Sequence, residues 1–468
     1  MEANRTTQRA ALIVATLSSF LGPFMGSSVN VALPSIGREF SMGAILLGWV
    51  NTSYLLAAAT FLIPFGRLGD IYGRKRIYMW GVFLFTLSSM LIALADSGMM
   101  VIVFRIFQGF GGSMIFATGM PILISVVPPG DRGKALGITV AAVYLGLSVG
   151  PFMGGLITEQ IGWRFIFWLN LPLGLILLAV IFLMLKGDWA EARGSKFDLA
   201  GSVILALALL STMYGFSNLP APYAFALIVI GLIGFVVFII YELRIPMPVI
   251  DINLFRRNTV FAFSNLAALI NYAATFAVGF LLSLYLQRIK SLSPQEAGLV
   301  LIAQPIIQAV FSPVAGRLSD RIEPRTVASL GMALTMIGLV LLIPLNADTS
   351  LVYIVSCLVV LGFGFALFSS PNTNAIMSSV DRQFYGVAGA VVSSMRQIGM
   401  MFSMGIVMMI LALILGDAEI VAENRELFIN SLKTTLAIFA VMCLGGIFAS
   451  LARGKLHGRK NHPDGTRS

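Results

Sequence analysis

Apolar residues in this chain come in long, nearly unbroken runs, and most charged residues collect in the short intervals between them. A helix rising 1.5 Å per residue needs about 20 apolar residues to cross a hydrocarbon core of roughly 30 Å. Fourteen runs meet that length, over residues 11–35, 45–65, 77–95, 99–126, 134–157, 163–185, 198–217, 222–243, 258–286, 296–315, 326–345, 350–376, 386–415 and 431–452. The pattern predicts an all-α membrane protein with fourteen transmembrane helices. The first run keeps the length of a full span and lacks a signal-peptide cleavage pattern, so it is read as retained.

Internal repetition organises these spans. "GRLGD" at 66–70 returns as "GRLSD" at 316–320, each in the connection after an even-numbered helix of its half. At a shift of 253 residues, Gly109-Phe110-Gly111 matches Gly362-Phe363-Gly364, Gly133 matches Gly386 and Gly146 matches Gly399. Two related six-helix halves with two left-over central spans are expected. The domains are then an N-terminal bundle at 1–185, two inserted helices with linkers at 186–257, a C-terminal bundle at 258–452 and a basic tail at 453–468. Parallel repeats around a midplane cavity are a secondary-transporter architecture.

Composition agrees: 58% of the 468 residues are hydrophobic and 11% charged, against roughly 25% charged in a soluble domain. The net charge of +10 reflects placement. With the N-terminus inside, the 31 Lys and Arg divide into 23 on the inner side, 6 on the outer side and 2 within spans, Arg105 and Arg396. That asymmetry predicts a multi-pass protein of the plasma or inner membrane with both termini cytoplasmic, in contact with anionic lipid and not with nucleic acid. Cys357 and Cys443 both fall in spans, and the only histidines, His457 and His462, lie in the tail, so neither a disulfide framework, a metal site nor a cofactor is expected. No phosphate-cradling glycine loop with lysine appears, so the chain is not read as an enzyme.

Several segments resemble the major facilitator superfamily, specifically its fourteen-helix drug:proton antiporter branch, family 2. "GRLGDIYGRKR" (66–76) is similar to the loop motif between helices two and three, "RIFQG" (105–109) to the helix-four motif, and "GLSVGPFMGG" (146–155) to the exporter motif of helix five. "VNVALP" (29–34) and "WRFIFWLNLP" (163–172) resemble segments of the fourteen-helix branch. The resemblance implies a major facilitator fold and a secondary active, multidrug-efflux-like exporter of small amphipathic molecules working by alternating access. It also implies protons as coupling ion; some members of this branch work with a periplasmic adaptor. For individual residues it implies a gate at Gly66, Asp70, Gly73 and Arg74, echoed in part by Asp320, and a sealing helix at Gly146, Gly150, Pro151 and Gly154. The residues alone allow blander roles. Asp70 can cap a helix or pair with Arg74, and glycines at every fourth position serve ordinary helix packing.

Embedded polar residues supply the candidate chemistry. Arg105 lies about 9 Å along helix four, shallow enough to snorkel. Gln108 sits three residues on, on the same face. Their repeat counterparts are Leu358 and Leu361, so the polar pair is an addition made in one half and is read as a cavity-facing functional pair; the resemblance implies for it a coupling or relay role, with Asp70, Glu159 or Asp198 as edge carboxylates. No Asp or Glu lies near any midplane. The fourteen-helix branch usually carries an aspartate before "VNVALP"; here "FMGSSVNVALP" puts Met25 there. Asn30 is then a neutral partner available to Arg105. Candidate cavity residues are Asn30, Asn51, Tyr54, Arg105, Gln304, Gln308, Asn372, Arg396 and Gln397. Two embedded arginines without an embedded acid favour an anionic or neutral substrate over a lipophilic cation. The alternatives are an exporter, exchanger or uniporter of an organic anion or metabolite without proton antiport, and a non-transporting membrane sensor or assembly subunit.

Overall fold

The computed structural model describes residues 5–128, 131–190, 192–246, 248, 252–380, 385–416 and 424–454. Side chains at 132–134, 136, 320 and 385–387 and the whole of 455–468 lie outside that description, including Asp320, His457 and His462. Among the described residues, fourteen helices are long and apolar enough to cross a membrane. They are α1 Arg5–Glu39, α2 Ala44–Tyr72, α3 Arg74–Ala93, α4 Gly98–Val126, α5 Gly137–Gln160, α6 Arg164–Leu183 and α7 Leu199–Ser217, then α8 Pro222–Glu242, α9 Thr259–Ile289, α10 Pro294–Ser319, α11 Pro324–Leu342, α12 Leu351–Ser378, α13 Ala388–Ile414 and α14 Arg425–Ala452. Each overlaps one expected span. Consecutive spans alternate in direction. The face where α1 starts and the α2–α3 connection lies is here the basic face, its opposite the far face.

Two six-helix bundles share one packing plan. In the first, α4 packs between α2 and α3 while α1 packs along α5; in the second, α12 packs between α10 and α11 while α9 packs along α13. The repeated glycines make the same contacts in both halves. A Cβ at Gly109 would strike the backbone of α2 at Tyr54, and one at Gly362 that of α10 at Gln304. A Cβ at Gly111 would strike Gly81 and Phe85 of α3, and one at Gly364 would strike Gly331 and Thr335 of α11. Small residues at these positions let backbones approach where lipid supplies no hydrophobic drive. The repeat in sequence is thus a repeat in close packing.

The hairpin α7–α8 stands apart. Among the described residues it is α7 that packs closely on the bundles, lying against α2 and α13 together. Tyr214 faces Trp49 of α2, and Ser217 Oγ and the Met213 side chain meet Met408 and Gly405 of α13. Its outer helix α8 turns large apolar side chains such as Val229, Ile233 and Val236 outward.

Candidate functional site

Arg105 does not snorkel. It is 2% exposed. Its Nε donates to the Val50 carbonyl of α2 at 2.9 Å and its Nη1 to Gln108 Oε1 at 2.6 Å, while the guanidinium lies 4.4 Å from the Tyr54 ring centroid. Gln108, fully buried, donates to Ser89 Oγ of α3 at 2.7 Å. The same Ser89 oxygen accepts from Asn170 Nδ2 of α6 at 3.1 Å, and Asn170 Nδ2 also reaches Met25 Sδ of α1 at 3.1 Å. One chain of polar contacts therefore runs from α2 through α4, α3 and α6 to α1, all inside the first bundle. It ends on a thioether at the position where the family aspartate is expected. Arg105 is consequently removed from the set of cavity-lining residues: it is sealed behind half-buried Tyr54. Asn30 is not its partner either, because Asn30 Oδ1 accepts from Asn51 Nδ2 at 2.6 Å.

The contacts between bundles concentrate toward the far face, and Pro34 explains part of their chemistry. A proline lacks the N–H that would bond the carbonyl four residues earlier, so the carbonyl of Asn30 is left without its helical partner. Ser283 of α9 supplies it, donating to Asn30 O at 2.7 Å. Gln287 Nε2 donates to Val31 O at 2.8 Å and Arg288 to Pro34 O at 3.1 Å. Both donors sit in the last turn of α9, Tyr285–Ile289, which is widened to a π-helix. Neighbouring helices commonly satisfy backbone freed by proline inside a membrane; here that neighbour belongs to the other bundle. "VNVALP" is thus an acceptor ledge for α9.

Two further seams close the same face. Gly155 of α5 lies against the Pro294 carbonyl and Gly298 of α10 against the Pro151 carbonyl; a Cβ on either would collide with backbone. Glu159 accepts from the Gln295 N–H at 3.0 Å, at the N-terminus of α10, where a carboxylate is favoured. Thr52 donates to Met408 Sδ at 3.1 Å, joining α2 to α13. The structure therefore gives Glu159 a capping role between bundles rather than a place in a relay with Arg105. Gly146, Gly150 and Gly154 face α1 inside the first bundle, against Phe20, Ser27 and Ser28. The interbundle seal is made one residue on, by Gly155, with the backbone of Pro151.

At the basic face the α2–α3 motif closes on its own bundle. Asp70 pairs with Arg74 at 2.8 Å, and Arg74 Nη1 donates to Ser125 Oγ of α4 at 2.9 Å. The stretch after α6 wraps beneath: Trp189 O accepts from Arg74 N at 2.9 Å, Asp70 O from Ala192 N at 2.9 Å, and Asp188 pairs with Arg76 at 3.1 Å. Gly73 has φ +115°, a conformation open to glycine, and a Cβ there would strike the Asp188 carboxylate. Gly66 is less constrained, since a Cβ would make ordinary contact with Ala117 at 3.7 Å.

Asn372 leaves the cavity set. Its Oδ1 accepts from Arg453 Nη1 at 2.9 Å and its Nδ2 donates to Ser264 O at 3.0 Å. Arg453, which the sequence reading places in the basic tail, is 1% exposed and also bonds Ser450 Oγ at 2.8 Å, Ser264 Oγ at 3.2 Å and Pro324 O at 3.3 Å. It ties α9, α11, α12 and α14 together. Burial pulls its pKa down to about 10, with Glu323 nearby opposing the shift, so it remains a cation at neutral pH. Of the other cavity candidates, Gln304 and Gln308 follow one face of α10, Gln308 and Gln397 are buried, and Arg396 is half-buried. Among the described residues no group of three or more His, Cys, Asp or Glu is arranged to hold a metal.

Sequence reasoning missed Ser89, Gly155, Ser283, Gln287 and Arg453. Ser283 and Gln287 carried a signal, a polar pair four residues apart in an apolar span. Ser89 and Gly155 carried none beyond their small size.

The family model described as Major Facilitator Superfamily matches residues 15–264 and 264–467. The riboflavin transporter RibZ of Clostridioides difficile is 33% identical over 394 residues, covering 84% of this chain and 86% of that one. The multidrug resistance protein Stp of Mycobacterium tuberculosis is 32% identical, covering 84% and 74%. The tetracenomycin C resistance and export protein of Streptomyces glaucescens is 30% identical, covering 83% and 73%. A solved bacterial homologue of the human lysosomal transporter Spinster, inward-facing and unoccupied, superposes with a TM-score of 0.69 at 15% identity over 96% of this chain and 98% of that one. At that identity the likeness is one of fold.

Proposed function

The chain belongs to the major facilitator superfamily and is a multi-pass membrane transporter, and on that premise we propose that it is a secondary active exporter of small amphipathic molecules. Alternating access of the two bundles moves the solute, and an ion gradient drives it. The observation that carries the reading is the distribution of interbundle contacts. Hydrogen bonds from α9 to α1, glycine contacts between α5 and α10, and Thr52–Met408 lie toward the far face, which supports a site that opens to the basic side. With the basic face cytoplasmic, as its charge implies, this is the loading state of an exporter. Relatives named for multidrug resistance and for tetracenomycin C export support the direction.

Met25 favours a second reading, transport of an organic anion or metabolite without proton antiport. A relative named for riboflavin transport is compatible with it. Solute-driven pH change in proteoliposomes separates the two, comparing wild type with Asp70→Asn and Arg105→Ala. Proton antiport requires the internal pH to respond to solute and the response to fall in the variants. Flux that ignores the proton gradient selects the second reading, and no flux of any solute removes both.

A further inference from the structure

Where α1 ends and α9 makes its last turn, the two bundles enclose a cavity of about 110 Å³. Arg38 and Ser41 line it from the first bundle, Arg288 and Leu284 from the second, and Leu47 of α2 forms an apolar wall. Arg38 is the last residue but one of α1, and Arg288 the last but one of α9. Both therefore stand where a span meets the headgroup layer of the far leaflet. The far side carries six of the 31 Lys and Arg. Two of those six line this one cavity.

The charge of the lining has one sign, since among the described residues no carboxylate borders the cavity. Glu39, next to Arg38 in the chain, is engaged elsewhere: it pairs with Arg164 at 2.6 Å and accepts from Trp163 Nε1 at 2.7 Å. Arg288 Nη2 donates to Pro34 O at 3.1 Å, which fixes that guanidinium at the seam between bundles. Arg38 Nη2 reaches Ser35 Oγ at 3.5 Å, the weak end of hydrogen bonding. Closing the far face thus brings one guanidinium from each half to a shared cavity, and like charges repel. An oxyanion placed between them turns repulsion into two attractions. The planar fork of an arginine matches phosphate oxygens two at a time, and the Ser41 hydroxyl adds a further donor. The volume is several times the roughly 10–15 Å³ that one water needs, enough for a phosphate group.

We propose that the cavity between Arg38 and Arg288 binds a phosphate group, either free phosphate from the far side or the headgroup of a far-leaflet lipid, and that the occupied site holds the far face shut. The lining comes from both bundles and separates when they part, so the anion binds the closed face and not the open one. The far side of the membrane then regulates the transporter through a site distinct from the solute path.

The test holds the full chain in a maltoside detergent, which carries no phosphate, with spin labels on cysteines at Gly43 and Ser291 in the α1–α2 and α9–α10 connections. A ligand that fits the closed face alone multiplies the closed-to-open ratio about tenfold at ten times its Kd. Inorganic phosphate, titrated against sodium chloride at constant ionic strength, should produce that rise in wild type. Arg38→Gln and Arg288→Gln should each cut it below about twofold, and Arg38→Lys should keep part of it. Each response is read against the same variant without phosphate, because Arg288→Gln also removes the Pro34 bond. Unfolding midpoints in the same samples show which variants are folded; they should rise with phosphate in wild type and not in Arg38→Gln, a readout that holds even when the open state is scarce. A second arm compares vesicles of phosphatidylglycerol with vesicles of a neutral galactolipid. An Arg38-dependent rise with phosphatidylglycerol alone assigns the site to a headgroup, and one with inorganic phosphate in detergent assigns it to a soluble anion. No Arg38-dependent rise in either arm overturns the site, as does an equal rise in folded Arg38→Gln. None of these readouts involves solute flux, so their failure leaves the exporter reading standing.

Discussion

Arg105 and Gln108 are legible in the sequence because two polar side chains three residues apart interrupt an apolar run. Their partners are not, because Ser89 is one serine among many and Val50 contributes only a carbonyl. The pair is self-satisfying, so its removal should follow the logic of buried polar networks. Arg105→Leu alone leaves Gln108 Oε1 without its donor and should destabilise by about 1–3 kcal/mol. Arg105→Leu with Gln108→Leu, the residues the second half carries at Leu358 and Leu361, should recover part of that loss. Unfolding midpoints in detergent measure the difference; a double variant less stable than the sum of the singles would contradict it. Met25 offers the converse experiment. Met25→Asp places a carboxylate against Asn170, two hydrogen bonds from Gln108, in a site 3% exposed. Burial raises a carboxyl pKa toward working pH, so this variant should acquire or increase dependence of flux on an imposed pH gradient.

Helices were legible as elements because membrane thickness dictates their length, and fourteen were expected and found. Features that break helical regularity were less so. The widened turn at Tyr285–Ile289 has no sequence mark, whereas Pro34 was visible without its consequence, since the freed carbonyl finds its donor 253 residues away in α9. Ser283→Ala removes that donor. A single hydrogen bond contributes about 1 kcal/mol net, which moves a two-state balance roughly fivefold. Labelling of a cysteine placed at Gly37 by a membrane-impermeant thiol reagent from the far side should rise accordingly. Gly155→Val should act more strongly, since its side chain meets the Pro294 backbone and prevents the α5–α10 seam from closing; labelling no faster than wild type would show that the seam tolerates separation.

For the whole molecule, two halves were readable from repeated glycines because close packing permits few residues at those points. Position relative to the interface was not readable, and this is where the site assignments shifted. Arg105 and Asn372 belong to bundle interiors, while Ser283 and Gln287, neutral residues in an apolar helix, reach the opposite bundle. Far-face closure relies on neutral donors, backbone carbonyls and glycine contacts, with Arg288 and Glu159 as its charged members. Screening weakens exposed charges far more than neutral hydrogen bonds. The balance between open and closed far face should therefore move by less than about twofold between low and high salt, measured as interspin distances across α1 and α9.

The hairpin makes the two flanks of the transporter unequal. Helix α7 rests across α2 and α13, while among the described helices none lies across the facing edge of α5 and α10. When the halves rock, the first edge stays shielded from acyl chains and the second meets them. A solute dissolved in the leaflet should therefore enter past α5 and α10 and not past α2 and α13, so that two added helices would set the side from which the bilayer feeds the transporter.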